Sequence, residues 1–223
     1  MNVIKKLSLL IFFITCTACG SNISGLDELK KLCTKDAGLT IHKVVEADGY
    51  YDSTRKGDAL WRLISSDYSF IEFCNFDPEK PSFNETGCWQ LTKVPRETGH
   101  CDEIVDKALM SNGSDLSREF RENNCITVEK LERPEAQYKY EVERKEWWID
   151  ERDEIKMSLG IGRIVDIKTG EVLGEAKNYV LRPKNSTPPS FHCGSAHVTG
   201  SQKTKPFAAG LIEKTLVTRS NSR

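Results

Sequence analysis

The sequence predicts an α+β fold, in which an antiparallel β-sheet carries a long hairpin in the C-terminal half and a few flanking helices. Apolar residues recur at every second position from Ile155 to Ile167, and Arg163 is the exception. A tight connection, Lys168 to Glu171, leads to a second strand-like segment, Val172 to Leu181. Shorter alternating segments precede this pair. We therefore expect a sheet of about five to seven strands.

The elements before the hairpin are predicted from shorter patterns. Helical spacing favours one helix that begins at Ser24 and carries an apolar face of Leu26, Leu29, Leu32 and Cys33, and a short second helix at residues 101 to 110. A strand is predicted from Thr40 to Ala47, and the turn pair Asp48-Gly49 joins it to Tyr50-Tyr51 as a hairpin. Further strands are predicted at Tyr68 to Cys74, at Cys88 to Val94, and around Tyr138, Tyr140 and Val142.

The last part of the chain is predicted to contain one short helix and a polar end. We interpret Gly160 and Gly162 as a bend in the long strand. Pro206 opens the last helix, which holds Phe207, Leu211 and Leu216. These patterns indicate a single domain over residues 26–217, followed by a frayed tail at 218–223.

The N-terminal segment has the features of an export signal. Lys5 and Lys6 precede an apolar run from Leu7 to Ile14, which is too short to cross a bilayer. The following Thr17-Ala18-Cys19-Gly20-Ser21 resembles a bacterial lipobox, although Cys16 stands where that class prefers leucine. The alternative is an ordinary secretory signal cut after Ala18.

The lipobox resemblance implies that residues 1–18 are removed and that Cys19 receives acyl chains such as palmitate. It also implies that residues 19–25 form a lipidated tether and that the membrane is a partner through this anchor. Gly20 and Ser21, rather than an aspartate, follow the cysteine. The expected location is therefore the cell envelope, at the outer membrane.

The remaining cysteines suit an exported protein. Six remain, an even number that predicts disulfides rather than buried thiols. We prefer the pairs Cys74 with Cys88 and Cys101 with Cys125, because each closes a local loop. The third pair, Cys33 with Cys193, would join the first helix to the segment after the sheet. The sequence leaves the other pairings open.

Net charge argues against a nucleic-acid partner. Removal of residues 1–18 leaves 223 − 18 = 205 residues, with 32 − 2 = 30 basic and 33 acidic side chains, hence a formal charge of −3. Nucleic-acid-binding domains normally carry a basic face or stripe. We predict no nucleic-acid partner.

Few residues suggest catalysis or metal binding. His192, Cys193 and His197 could ligate zinc, with His100-Cys101 as a possible companion. In an exported protein, however, Cys193 and Cys101 are expected to form disulfides, and a disulfide has no thiolate to bind the metal. The acidic pairs Asp150-Glu151 and Asp153-Glu154 are typical of solvated surface. We therefore predict no catalytic residue, no cofactor and no metal.

Trp147 and Trp148 form the candidate binding surface. Neighbouring residues of a strand face opposite sides, so one ring could be buried and the other exposed near Tyr138 or Tyr140; alternatively, both are covered. An exposed ring would suit an envelope protein or glycan. The sequence thus favours a non-enzymatic binding or structural envelope lipoprotein; the alternative is a hydrolase-like periplasmic enzyme using carboxylates or His192 and His197.

Overall fold

The computed structural model describes residues 25–54, 56–75, 86–97, 100–150, 155–183, 190–193 and 207–219. These ranges form a mixed α/β structure with five helices and a large sheet. The helices are α1 (Leu26–Lys35), α2 (Lys56–Ile64), α3 (Glu103–Asn112), α4 (Asp115–Asn123) and α5 (Phe207–Thr215). The strands are β1 (Gly38–Ile41), β2 (Val45–Glu46), β3 (Gly49–Asp52), β4 (Phe70–Asn75), β5 (Gly87–Pro95), β6 (Asn124–Leu131), β7 (Tyr138–Asp150), β8 (Ile155–Asp166), β9 (Val172–Pro183), β10 (Phe191–His192) and β11 (Leu216–Val217).

The main sheet has nine strands in the order β1-β9-β8-β7-β3-β4-β5-β6, and β10 also pairs with β9. Most neighbours are antiparallel, and the predicted hairpin of β8 and β9 is confirmed. The exception is β3, which lies parallel to both β4 and β7. The sheet is therefore larger than predicted and not purely antiparallel. A separate parallel pair, β2 and β11, holds the end of the described chain.

The hairpin predicted at Asp48-Gly49 is wrong. Gly49 begins β3, and a Cβ at this position would lie 2.2 Å from the Phe70 carbonyl oxygen. The glycine therefore permits a close approach between strands rather than a turn. From β3 the chain passes through α2 into β4, which is the helical crossover that parallel neighbours require.

Sequence patterns missed α2, α4 and β6, whereas α1, α3, α5 and the strands β4, β5 and β7 lie close to their predicted positions. The N-cap of α1 is Gly25, without a side-chain cap. Ser24 and Pro206, which we predicted to open helices, lie outside the described residues, as do the signal segment and Cys19. At the other end, Thr218 is buried and Arg219 lies 3.3 Å from Asp48, so the packed domain extends beyond Val217.

Two hydrophobic clusters lie on opposite faces of the sheet. The larger cluster, on what we call the front face, includes Tyr140 and Ile164 and is covered by α2 and α5. The smaller cluster, on the back face, includes Met157 and Leu181 under α1. Along β8 the buried side therefore changes: Met157 faces α1, but Ile164 faces the front. The prediction of one apolar face holds only for the first half of the strand, and Ile167 is exposed.

Arg163 interrupts the apolar alternation because it is the centre of an ion-pair network on the back face. Its guanidinium binds Glu175 at 2.8 Å and Glu143 at 3.0 Å. Hydrogen bonds from Arg163 and then Lys145 lower the pKa of Glu143. Lys177 continues the network, at 3.5 Å from Glu175. The network links β7, β8 and β9 on the back face.

Gly174 of the hairpin makes room for α5. A Cβ at Gly174 would lie 2.6 Å from Thr215 Oγ1 and 3.0 Å from Leu211 Cδ1, whereas the atoms nearest to a Cβ at Gly162 are those of the Tyr140 side chain, at 3.3 Å. The β8–β9 register is continuous across Gly160 and Gly162. The pairing therefore has no break at the two glycines where a bend was predicted, and Gly174 has a packing role against α5.

Three disulfides are present, with the pairing that the sequence analysis preferred. Cys74 is bonded to Cys88 on adjacent strands, and Cys101 to Cys125 beside α3. Cys33 of α1 is bonded to Cys193, 160 residues later, just after β10. The long link fixes α1 to the edge of the hairpin half of the sheet.

Candidate functional site at the hairpin edge

β7 is longer than the strand that pairs with its outer side. It pairs with β8 along its length, whereas β3 pairs with it only at Lys139 and Tyr140. β3 ends at Asp52, and the N–H of Ser53 donates to the Tyr140 carbonyl oxygen at 2.9 Å. Beyond that point, no described strand pairs with the outer side of β7. The hairpin thus projects past β3.

The outer side of β7 carries a row of backbone hydrogen-bonding groups. The N–H and C=O of one residue point to the same side, and the side alternates along a strand. Because the Tyr140 carbonyl points outward, so do the groups of Val142, Arg144, Glu146 and Trp148, which we call the free edge. All four residues are exposed. Within the described ranges, these outward backbone groups have no hydrogen-bond partner.

The two tryptophans lie on opposite sides of the sheet, and of the two alternatives in the sequence analysis the structure shows the one with a single exposed ring. Trp147 packs against the back cluster, with its ring edge-to-face with Tyr179 at 6.3 Å. Trp148 is 44% exposed on the front face, and the Lys156 ammonium lies 4.9 Å from its ring centroid. Val142, on the same face, is 47% exposed. An aromatic ring and an aliphatic side chain therefore flank the free edge.

The charges between these two apolar residues are of opposite sign. Glu146 accepts a hydrogen bond from Lys156 at 3.3 Å, and this ion pair is well exposed. Arg144 is exposed and has no ion-pair partner among the residues that the structure describes. The free edge consequently presents the order apolar, positive, negative, aromatic.

Among the residues that the structure describes, the histidine and cysteine candidates are not assembled into a site. Cys193 and Cys101 are both in disulfides, and His192 Nδ1 lies 3.1 Å from the carbonyl oxygen of its own neighbour, Cys193. His100 is exposed. His197 lies outside the described residues. No group of three metal-ligating side chains occurs in the described part of the chain.

The acidic pairs of the sequence analysis lie outside the side chains that the structure describes, which include neither Glu151, Asp153 and Glu154 nor the side chain of Asp150. The structure instead places other carboxylates in buried positions. Asp52 accepts a hydrogen bond from Arg62 at 2.6 Å and from the Thr54 N–H at 2.9 Å.

Glu72 and Asp166 are buried carboxylates that bind backbone groups. Glu72 accepts from the N–H groups of Glu135 and Ala136 at 2.8 and 2.9 Å; burial nevertheless raises its pKa. Asp166 accepts from the hairpin turn, and a hydrogen bond from Gln137, followed by the turn amide of Thr169, lowers its pKa. These carboxylates fix loops.

A cleft of about 340 Å³ lies between the α2–β4 connection and α4, and Lys93 is one of the residues that line it. Burial lowers the pKa of Lys93. Its ammonium donates to the Ser66 carbonyl oxygen at 2.6 Å and lies 5.8 Å from the Phe120 ring centroid. The ammonium is thus used to hold the α2–β4 connection.

The chain matches no known protein family, no curated protein and no solved structure. In the described ranges, no helix is both long and apolar enough to span a membrane.

Sequence reasoning identified Trp148 but missed the free edge. The segment Glu141 to Glu146 has the mixed charges of a solvated strand face, and this pattern is the same whether or not a neighbour pairs with the strand. Only the shortness of β3, four residues against thirteen in β7, exposes the edge.

Proposed function

We propose that the chain is a lipid-anchored protein of the bacterial cell envelope, held at the outer membrane through Cys19. It binds another envelope component, a protein or a glycan, and does not itself catalyse a reaction. The observation that carries the binding role is Trp148, exposed beside the free edge of a projecting hairpin. Tryptophan at such a position is typical of recognition surfaces.

Two further observations support this proposal. Three disulfides suit an oxidising compartment outside the cytoplasm. The buried carboxylates Asp52, Glu72 and Asp166 each bind groups of this chain, so they serve the fold. Within the described ranges, nothing favours the alternative of an enzyme that uses carboxylates or His192 and His197.

The anchor is tested by Cys19→Ser in the full chain. We expect the wild-type protein to fractionate with membranes and to carry acyl mass on Cys19 after loss of residues 1–18. The variant should be uncut or soluble and should lack acyl mass. Intact-mass measurement decides the matter: acyl mass on the variant, or a cut but unlipidated wild type, would overturn the anchor.

The binding role is tested with a photo-crosslinking residue at Arg182, which is exposed and lies in register with Lys156 near Trp148. Irradiation in the native envelope should give a defined adduct, and Trp148→Ala should reduce it about tenfold, which corresponds to about 1.4 kcal/mol of binding energy. The matched control is Ile104→Ala, which removes another exposed apolar side chain, on α3. Equal yields from the two variants would refute a role for Trp148.

A further inference from the structure

We propose that the free edge of β7 pairs with the same edge of a second copy of this chain, which joins the two sheets across a two-fold axis at Lys145. The inference rests on the proposed binding role of the hairpin and names one partner for it. The first argument is that the edge is unpaired: its four residues from Val142 to Trp148 are exposed, and within the described ranges no strand pairs with their outward backbone groups. Such an edge is a template for another strand.

The limits of the edge determine the register of this pairing. Ser53 occupies the outer side at Tyr140, and the register of β7 shifts between Trp148 and Asp150, so the regular free edge runs from Val142 to Trp148. Two copies that use the whole edge in antiparallel orientation place its midpoint, residue 145, on the axis. Val142 then lies opposite Trp148 of the second copy, with about eight new backbone hydrogen bonds in all.

The charges select the same register independently. With residue 145 on the axis, Arg144 lies opposite Glu146 of the second copy, and Glu146 opposite its Arg144. Moving the axis to residue 144 or 146 places Arg144 or Glu146 opposite its own copy, and like charges directly opposite are destabilising. Arg144, which has no ion-pair partner within the described ranges, would gain one.

Lys145 is the one like-charge contact in this arrangement, because it faces its own copy on the back face. Within each copy, the Glu143 carboxylate lies 3.1 Å from the Lys145 ammonium of the same chain and offsets the repulsion between the two ammonium groups. Residue 145 of one copy lies opposite residue 145 of the other, at a position where the two residues do not exchange backbone hydrogen bonds. The two Cα atoms of such a pair are close together. The chain contains a disulfide between paired strand residues, Cys74 and Cys88, with a Cα separation of 4.0 Å.

The geometry agrees with anchoring of both copies to one membrane. A two-fold axis perpendicular to the sheet keeps both back faces, and therefore both α1 helices, on the same side. Gly25, at the start of α1, lies beside Ile149 at the end of β7, because a Cβ on Gly25 would lie 3.0 Å from Ile149 Cδ1. The two chains therefore enter their α1 helices on the same side of the joined sheet.

The test is cysteine cross-linking of full-length Lys145→Cys in its native envelope. Mild oxidation should give a reducible dimer, whereas Lys168→Cys, in the exposed turn of the hairpin, should give at least about tenfold less. Arg144→Glu in the Lys145→Cys background should lower the dimer yield about tenfold because two like-charge pairs replace two attractive ones. Adding Glu146→Arg should restore the yield.

Four outcomes would overturn the proposal: equal dimer from Lys168→Cys, no effect of Arg144→Glu, no rescue by the double charge exchange, or cross-linking of Lys145→Cys to a different protein. Peptide mapping of the three native disulfides confirms that each variant is folded. Intact mass of the same samples separates the two proposals. An acylated protein that does not cross-link refutes self-pairing alone, and a cross-linked dimer without acyl mass refutes the anchor alone.

Discussion

Removing the Cys33–Cys193 disulfide should destabilise the protein more than removing either local disulfide. The long bond closes a loop of 160 residues, compared with 14 for Cys74–Cys88 and 24 for Cys101–Cys125. In the chain-entropy relation these loops correspond to about 5, 3 and 3.5 kcal/mol of stability at 25 °C. The difference arises in the unfolded chain, which a longer loop restricts more.

Packing sets where the loss would be seen first. α1 contacts the back face through Leu29, which is fully buried, in a cluster of six buried residues within the described ranges. Without the disulfide, α1 is held on the sheet by this small cluster and by the hydrogen bonds that its C-cap, Asp36, accepts from Lys177 and Tyr179. Because a domain of this kind has about 5–15 kcal/mol of stability in total, the variant should lie close to its unfolding threshold.

The assay is urea unfolding of Cys33→Ala/Cys193→Ala beside Cys74→Ala/Cys88→Ala. We expect the first variant to lose about 2 kcal/mol more than the second, and we expect amide exchange to increase first in α1. An equal or larger loss for Cys74→Ala/Cys88→Ala, with unchanged urea dependence in both, would refute the loop-length argument.

Three further substitutions and one control substitution test the fold. Gly174→Ala should cost about 1–3 kcal/mol because its Cβ meets α5, whereas Gly160→Ala, where the nearest described atom is 3.9 Å away, should cost nothing or stabilise slightly. Ile164→Asp should cost about 4 kcal/mol or more, because it buries a carboxylate among apolar groups. Tyr179→Phe should cost about 1–2 kcal/mol near neutral pH, because it removes the hydrogen bond to Asp36.

The Tyr179 contact also predicts a pH dependence. The hydrogen bond from Tyr179, and then that from Lys177, lower the pKa of Asp36, so this stability is present above pH 4 and is lost as the pH falls through the folded pKa. Burial, and then the bond to Asp36, raise the pKa of Tyr179 to about 12, so stability is lost as the pH rises from about 10 to 12.

Urea midpoints measured from pH 3 to 11 check the loss of stability at low pH, through Asp36, and at high pH, through Tyr179. Thermal or urea unfolding at one pH checks the glycine variants and Ile164→Asp. Parallel pH curves for wild type and Tyr179→Phe would show that the contact does not contribute. Equal stability of the two glycine variants would contradict the packing of α5, and a loss under about 1 kcal/mol for Ile164→Asp would place that residue outside the core.

Local patterns predicted the parts of this protein that depend on local physics. Alternation located β8 and β9, helical spacing located α1 and α3, and short loops suggested two of the three disulfide pairs. The prediction failed at Asp48-Gly49, because a glycine that favours a turn also permits close strand contact, and here Phe70 makes that contact. The pattern alone does not distinguish these two uses.

By itself, the sequence determined that the segments of β4, β5, β7, β8 and β9 are extended, which cysteines are available to pair, and that the tryptophans face opposite sides. Strand periodicity and residue chemistry are properties of the chain. Only the tertiary structure decided that β3 lies between β7 and β4, that the buried face of β8 changes at mid-strand, and that β7 keeps a free edge beside Trp148. These features depend on which distant segments become neighbours, and a strand has the same side-chain alternation whether its edge is paired or free.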